Sequence, residues 1–182
     1  SELTHLEIEL YDYGTSATAE WLSSLTQLKT IDMSYCNLVG PLPDLSALTQ
    51  LEYLGLVGND FSGTFPLWLS GLTNLKEISL TSNVMTGSIP AELSNLTNLD
   101  KLYIGGSQLT GTIPAQLSSL SNLVELRIWG DQLTGSIPAE FGNFPLLETL
   151  NISGTQLTGN IPVELGNLSN LTHLYMTSNR LN

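Results

Sequence analysis

Apolar residues recur along this chain with a spacing that changes inside each unit. Leu72 to Asn95 reads LTNLKEISLTSNVMTGSIPAELSN, and Leu72, Leu75, Ile78, Leu80, Met85, Ile89 and Leu93 form its apolar set. Around Ile78 and Leu80 apolar and polar positions alternate, the period of a strand with one face buried. The same x-L-x-L-x phrase predicts parallel strands near residues 5–9, 30–34, 53–57, 77–81, 101–105, 125–129, 149–153 and 173–177. After each strand, L-x-G-x-I-P alternates again and predicts a second short strand, with Gly where backbones approach closely and Pro as terminator. The A-E-L-S-N-L segments are long enough for about one turn, expected to be 3₁₀. In the first unit SATAEWLSSL replaces the G-x-I-P stretch and predicts a short helix over residues 18–24.

The unit repeats in register. VGPLP, SGTFP, TGSIP, TGTIP, TGSIP and TGNIP carry their glycines at Gly40, Gly63, Gly87, Gly111, Gly135 and Gly159, a first interval of 23 residues and then four of 24. A fixed period of that length marks a solenoid whose units bury their apolar faces only by stacking on one another. The pattern L-x-x-L-x-L-x-x-N/C-x-L lies over Leu75 to Met85, and over Leu28-Ile31-Met33-Cys36-Leu38, Leu51-Leu54-Leu56-Asn59-Phe61 and Leu99-Leu102-Ile104-Ser107-Leu109. In this the chain resembles the leucine-rich repeat family, and its L-x-G-x-I-P extension is similar to the plant-type subfamily.

The resemblance covers nearly the whole chain. It implies an α/β solenoid: a right-handed superhelix of about eight repeats in one domain over residues 1–182, with a parallel concave β-sheet, short second strands and short 3₁₀ or helical convex segments. It further implies a non-enzymatic recognition module, as in receptor-like kinase and receptor ectodomains and polygalacturonase-inhibitor-like proteins. The contrasting expectation is an intracellular scaffold or regulatory segment of a GTPase- or kinase-containing protein.

Asn59, Asn83 and Asn179 follow the strands, where a side-chain amide can satisfy backbone groups at the turn and stack as a ladder. Ser107, Asp131 and Thr155 hold equivalent positions. Cys36 also falls at this point of its repeat, as the only cysteine, so it forms no internal disulfide and is expected in the core.

Seventeen acidic residues against five basic ones give a net charge of −12, which repels phosphate backbones and excludes nucleic acid as the expected partner. No apolar run approaches the ~20 residues that cross a bilayer, so direct membrane insertion of this segment is not expected. The resemblance places the chain outside the cell or at its surface ahead of the cytoplasm, although the paired-cysteine cap usual in plant extracellular relatives is missing. The sequence opens inside one strand pattern and closes inside another without a capping unit, which predicts a segment of a longer protein.

Catalytic and cofactor motifs do not occur: no Gly-rich phosphate loop, C-x-x-C, H-E-x-x-H or G-x-S-x-G is present, and no cofactor or metal is expected. His5 and His173 fall seven strand spacings of ~4.8 Å apart and cannot share a site.

The outward strand positions form three columns. The first is His5, Thr30, Tyr53, Glu77, Lys101, Glu125, Thr149, His173; the second Glu7, Asp32, Gly55, Ser79, Tyr103, Arg127, Asn151, Tyr175; the third Glu9, Ser34, Val57, Thr81, Gly105, Trp129, Ser153, Thr177. Lys101, Tyr103, Glu125, Arg127 and Trp129 are expected to be neighbours beside a shallow floor at Gly105 and Gly106, with Tyr53 and Tyr175 on the same face. Tyr, Trp and Arg combine contact area with directional bonds, the composition of an interface hot spot. The expected ligand is a protein or peptide. Glu7, Glu9 and Asp32 predict an acidic rim.

The second strands predict a different surface. Its outward files are Ser62, Thr86, Thr110, Thr134, Thr158 and Thr64, Ser88, Thr112, Ser136, Asn160, which resemble the threonine files of ice-binding solenoids. Glycosylation sequons occur at Asn95, Asn151, Asn167 and Asn170, and a glycan on Asn151 would shield part of the concave patch.

Overall fold

A computed structural model describes residues 2–8, 19–106 and 108–182. The alternating phrase forms a strand in all eight repeats: His5–Glu7, Thr30–Asp32, Tyr53–Gly55, Glu77–Ser79, Lys101–Gly105, Glu125–Trp129, Thr149–Ile152 and His173–Tyr175. They pair in sequence order as one parallel sheet. Register follows the first two sequence columns, from His5 opposite Thr30 to Asn151 opposite Tyr175. Leu54, Ile78, Leu102, Leu126 and Leu150 are all fully buried, as a sheet facing a core on one side requires.

Most strands are shorter than the five residues expected, and only the fifth and sixth extend pairing to the third column, where Trp129 opposes Gly105. Coil-to-coil bonding nevertheless continues beyond the named strands, with Leu56 N–H donating to Ser79 O at 2.9 Å and Gly58 N–H to Thr81 O at 3.0 Å.

The asparagines fill the turn behind this sheet. Asn59 Oδ1 accepts from the backbone of Cys36 and Leu38 at 3.1 and 2.9 Å, while its Nδ2 donates to Met33 O and Leu56 O at 2.9 and 3.1 Å. Asn83 repeats the arrangement one coil on, donating to Leu56 O and Leu80 O. Asn179 donates to Ile152 O and Met176 O, and bonds the hydroxyl of Thr155. Cys36 is buried, its thiol donating to Ile8 O at 3.0 Å. Ser107 lies outside the described residues.

On the convex side the helical segments among the described residues are all 3₁₀, including Glu20–Ser24, which corrects the expected helix over residues 18–24 within its described part. Leu22 N–H bonds Ala19 O and Leu25 N–H bonds Leu22 O, both at 3.0 Å. Apolar residues here repeat every third position, as in Leu93, Leu96 and Leu99, which matches three residues per turn rather than 3.6.

The expected second strands form, but not as one continuous sheet. They make a three-stranded ribbon of Gly87–Ser88, Leu109–Gly111 and Gln132–Leu133, and two separate pairs. Gly87 and Gly111 occupy the left-handed region at φ of 83° and 82°. A Cβ on Gly87 would make only ordinary contact, 3.7 Å from Thr64, so backbone conformation rather than crowding selects glycine there.

Candidate functional site

The concave patch is built on the fifth and sixth strands, whose alternation turns Leu102, Ile104, Leu126 and Ile128 into the core and their neighbours outward. Glu125 is its organiser. Its Oε2 accepts from the Tyr103 hydroxyl at 2.6 Å and its Oε1 from Arg127 Nε at 2.5 Å, with a further ion pair to Arg127 Nη2. The guanidinium also lies over the Tyr103 ring, 5.3 Å from its centroid. Arg127 thus stacks on Tyr103 while bonded to the acid that holds Tyr103.

Electrostatics follow from this clamp. Burial pushes the Glu125 carboxyl upward, but the hydrogen bonds from Tyr103 and Arg127 and the Arg127 charge outweigh it and leave the group below its ordinary value. Burial, then the Glu125 hydrogen bond and charge, push the Tyr103 phenol well above the ordinary tyrosine range.

Lys101 turns the other way, its Nζ lying 3.4 Å from Glu77 Oε2, so Glu77 joins the site. The column already contained it; what the sequence lacked was the choice between two flanking acids. Trp129 corrects a second expectation. Its indole covers Gly105, since a Cβ there would lie 2.4 Å from Cε2 and 2.5 Å from both Cδ2 and Nε1. Three ring atoms at one distance mean that the indole lies face-on across the neighbouring strand, paving the floor.

Tyr53 and Tyr175 share the face without joining the cluster. Glu77 separates Tyr53 from Lys101 in the register, and Asn151 separates Tyr175 from Arg127. The Tyr53 hydroxyl donates to Asp32 Oδ2 at 3.2 Å, and burial followed by the Asp32 charge and hydrogen bond push its pKa up to about 12. Tyr175 is exposed and stacks on His173 at 6.1 Å between ring centroids. Glu7 and Asp32 are register partners, and Glu9 lies outside the described residues.

The threonine files are exposed from Thr110 to Thr158 and from Thr64 to Asn160, while Ser62 and Thr86 are half-buried. The hydroxyls of Thr86, Thr134 and Thr158 donate to Gly63, Gly111 and Gly135 carbonyls one coil back, at 3.2, 3.3 and 3.2 Å. Of the sequons, Asn95, Asn167 and Asn170 are exposed, and Asn151 is half-buried on the concave face.

Models of the leucine-rich repeat match residues 27–48, 49–109 and 121–181. This chain belongs to the leucine-rich repeat family. Among solved structures it is similar to the plant peptide hormone receptor RGFR1 in complex with RGF2, at 33% identity over 98% of this chain and 29% of that one, with a TM-score of 0.88. It is also similar to the Arabidopsis receptor kinase HAESA in complex with the peptide hormone IDA and the co-receptor SERK1, at 28% identity, 98% and 30% coverage and a TM-score of 0.89. A plant ice-binding protein matches at 26% identity, 98% and 65% coverage and a TM-score of 0.76. No curated protein matches the chain. The chain spans less than a third of the length of the two receptor structures. Plant-type leucine-rich repeats are therefore its structural class, which it shares with these receptor structures.

Proposed function

We propose that this leucine-rich repeat protein is a non-enzymatic recognition module that binds a protein or peptide on its concave face, at Lys101, Tyr103, Glu125, Arg127 and Trp129, with Tyr53 and Tyr175 flanking the contact. The observation that carries the reading is the clamp: Glu125 holds Tyr103 and Arg127 by bonds of 2.6 and 2.5 Å beside an indole laid flat on Gly105. Side chains fixed before binding lose little freedom on binding, so such a surface is preorganised for a partner. The peptide hormones in the RGFR1 and HAESA complexes supply the ligand class.

The test uses a peptide selected on the wild-type chain from a phage-displayed random library, with affinity measured by calorimetry. Trp129→Ala and Arg127→Ala should each weaken it by about 2 kcal/mol or more, as hot-spot residues do, with the melting temperature little changed. Thr30→Ala, on the second strand, should bind as wild type does. Wild-type affinity in both patch variants would overturn the proposal.

A second reading, ice binding through the threonine files, is favoured by the plant ice-binding neighbour and by the coil-to-coil hydroxyl bonds that set the Thr86, Thr134 and Thr158 rotamers. Thermal hysteresis that Thr112→Tyr removes would support it. An absence of hysteresis in the wild-type chain would dismiss it.

A further inference from the structure

The convex turns carry a file of outward residues that the concave site does not use. Each turn buries one large apolar side chain, in register from Leu22 and Leu45 to Phe141 and Leu165, and the residue before it faces outward. In the first three repeats that residue is Trp21, Asp44 and Trp68. In the next four it is Glu92, Gln116, Glu140 and Glu164. All are exposed except Trp68, which is half-buried against the core. The 3₁₀ turns from Glu20–Ser24 to Val163–Asn167 hold no lysine, arginine or histidine. The ion pairs among the described residues, Lys76 with Glu52, Lys101 with Glu77 and Arg127 with Glu125, all lie on the concave sheet or at the residues that lead into it. The chain therefore leaves the acids of the convex file unneutralised.

A groove of about 740 Å³ runs beside this file, lined by Leu67 and Ala91, by Glu92 and Gln116 of the file itself, and by Ser88 and Thr112 of the second-strand hydroxyl file. Another of about 500 Å³ shares Thr112 and Gln116 with it and extends to Ser136 and Glu140 one repeat on. Together they make one trough along the solenoid axis, with a carboxylate or amide on one side of each coil, a hydroxyl on the other and apolar groups between. Leu67, beside Trp68 at its head, is 63% exposed, so the trough opens on an apolar end. An exposed apolar strip rimmed by polar groups marks a docking surface.

Charge and spacing identify the occupant. A net charge of −12 and an acidic rim repel a second copy of the chain and favour a cationic partner. Glu92 and Glu140 stand two coils apart, ~9.6 Å at the ~4.8 Å interval of parallel strands. Same-face side chains of an extended strand recur at ~6.6 Å and miss that interval. Those of a polyproline II segment recur every third residue at ~9.3 Å and meet it. Proline-rich segments also dock in apolar, aromatic-lined grooves, losing little freedom because their backbone is already ordered. We infer that this trough is a second interaction surface, which takes a proline-rich segment of a partner protein with basic residues three apart. One cation pairs with Glu92 and stacks on Trp68, as Arg127 stacks on Tyr103 while bonded to Glu125, and the next pairs with Glu140. The prolines between them lie on Ala91 and Pro114.

The probe is the synthetic peptide Arg-Pro-Pro-Arg-Pro-Pro-Arg, titrated calorimetrically into the full chain at low salt, with Arg-Arg-Arg-Pro-Pro-Pro-Pro as its composition-matched control. The spaced peptide should bind about fivefold more tightly than the control, the worth of one aligned ion pair. Glu92→Gln and Glu140→Gln should each weaken it about two- to fivefold. Trp68→Leu, which keeps an apolar side chain against the core, should weaken it similarly with the melting temperature little changed. Glu148→Gln removes the same charge at an exposed position outside the trough and should leave binding unchanged. Equal binding of the two peptides, equal losses in Glu92→Gln and Glu148→Gln, or no binding at millimolar peptide would overturn the inference. Tighter binding of a chitosan oligomer, a cationic polysaccharide, would also overturn it, as would a dimer in sedimentation that the spaced peptide dissociates.

Discussion

Trp129 lies face-on over Gly105, one strand away, at a separation that leaves no room for a Cβ: one placed there would approach three indole atoms to 2.4–2.5 Å. The pairing is set by register, because Trp129 and Gly105 are Cα partners on adjacent strands. Gly105 is therefore part of the proposed recognition surface although it offers no side chain.

Gly105→Ala should drive the indole off the neighbouring strand. Near-ultraviolet circular dichroism should change, and the change should be absent when Gly105→Ala is made in a Trp129→Phe background. An unaltered tryptophan signal in the single variant would show that the ring does not rest there.

The Glu125 clamp predicts an acid-side dependence. Because the folded pKa of Glu125 lies below its unfolded value, its contribution to stability is complete above the unfolded value of about 4.3 and is lost as pH falls through the folded pKa. Urea midpoints of wild type and Glu125→Gln should differ at neutral pH and converge on acidification. The tyrosines carry the opposite sign. With a folded pKa of about 12, Tyr53 stabilises the fold below the unfolded value of about 10 and ceases to do so as pH rises toward 12. Tyr103 is raised in the same direction. Phenolate absorbance should show two tyrosines titrating well above the ordinary phenol value of about 10, and Tyr53→Phe should remove one of them.

Gly111→Val should cost about 1–3 kcal/mol, because φ of 82° is strained for a β-branched residue and a Cβ would stand only 3.2 Å from Ser88. Gln108→Ala, at an exposed position, should stay within about 0.5 kcal/mol. Denaturant midpoints distinguish the two, and equal losses would contradict the left-handed backbone and close contact at Gly111.

Leu102 and Ile104 against Tyr103 show why the sheet was legible in the sequence. A strand has a period of two, so one apolar pair assigns every neighbour to a face, and the repeat fixes the partner on the next strand. That reasoning placed Tyr103 opposite Arg127, which the register bears out. It could not choose a rotamer. Lys101 reaches for Glu77 when Glu125 is equally adjacent, and Trp129 lies across Gly105 instead of beside it, because both depend on side-chain torsions that the repeat does not encode. The 3₁₀ turn at Glu20–Ser24 was readable from the three-residue spacing of Ala19, Leu22 and Leu25, which carried more weight than the helix-forming composition.

A crystal structure of the chain with the selected peptide tests recognition by the concave face most directly. The peptide should lie on the fifth to seventh strands, in van der Waals contact with Trp129 and within hydrogen-bonding reach of Arg127. A peptide seated on the threonine files or the convex 3₁₀ turns, with Trp129 and Arg127 untouched, would contradict it.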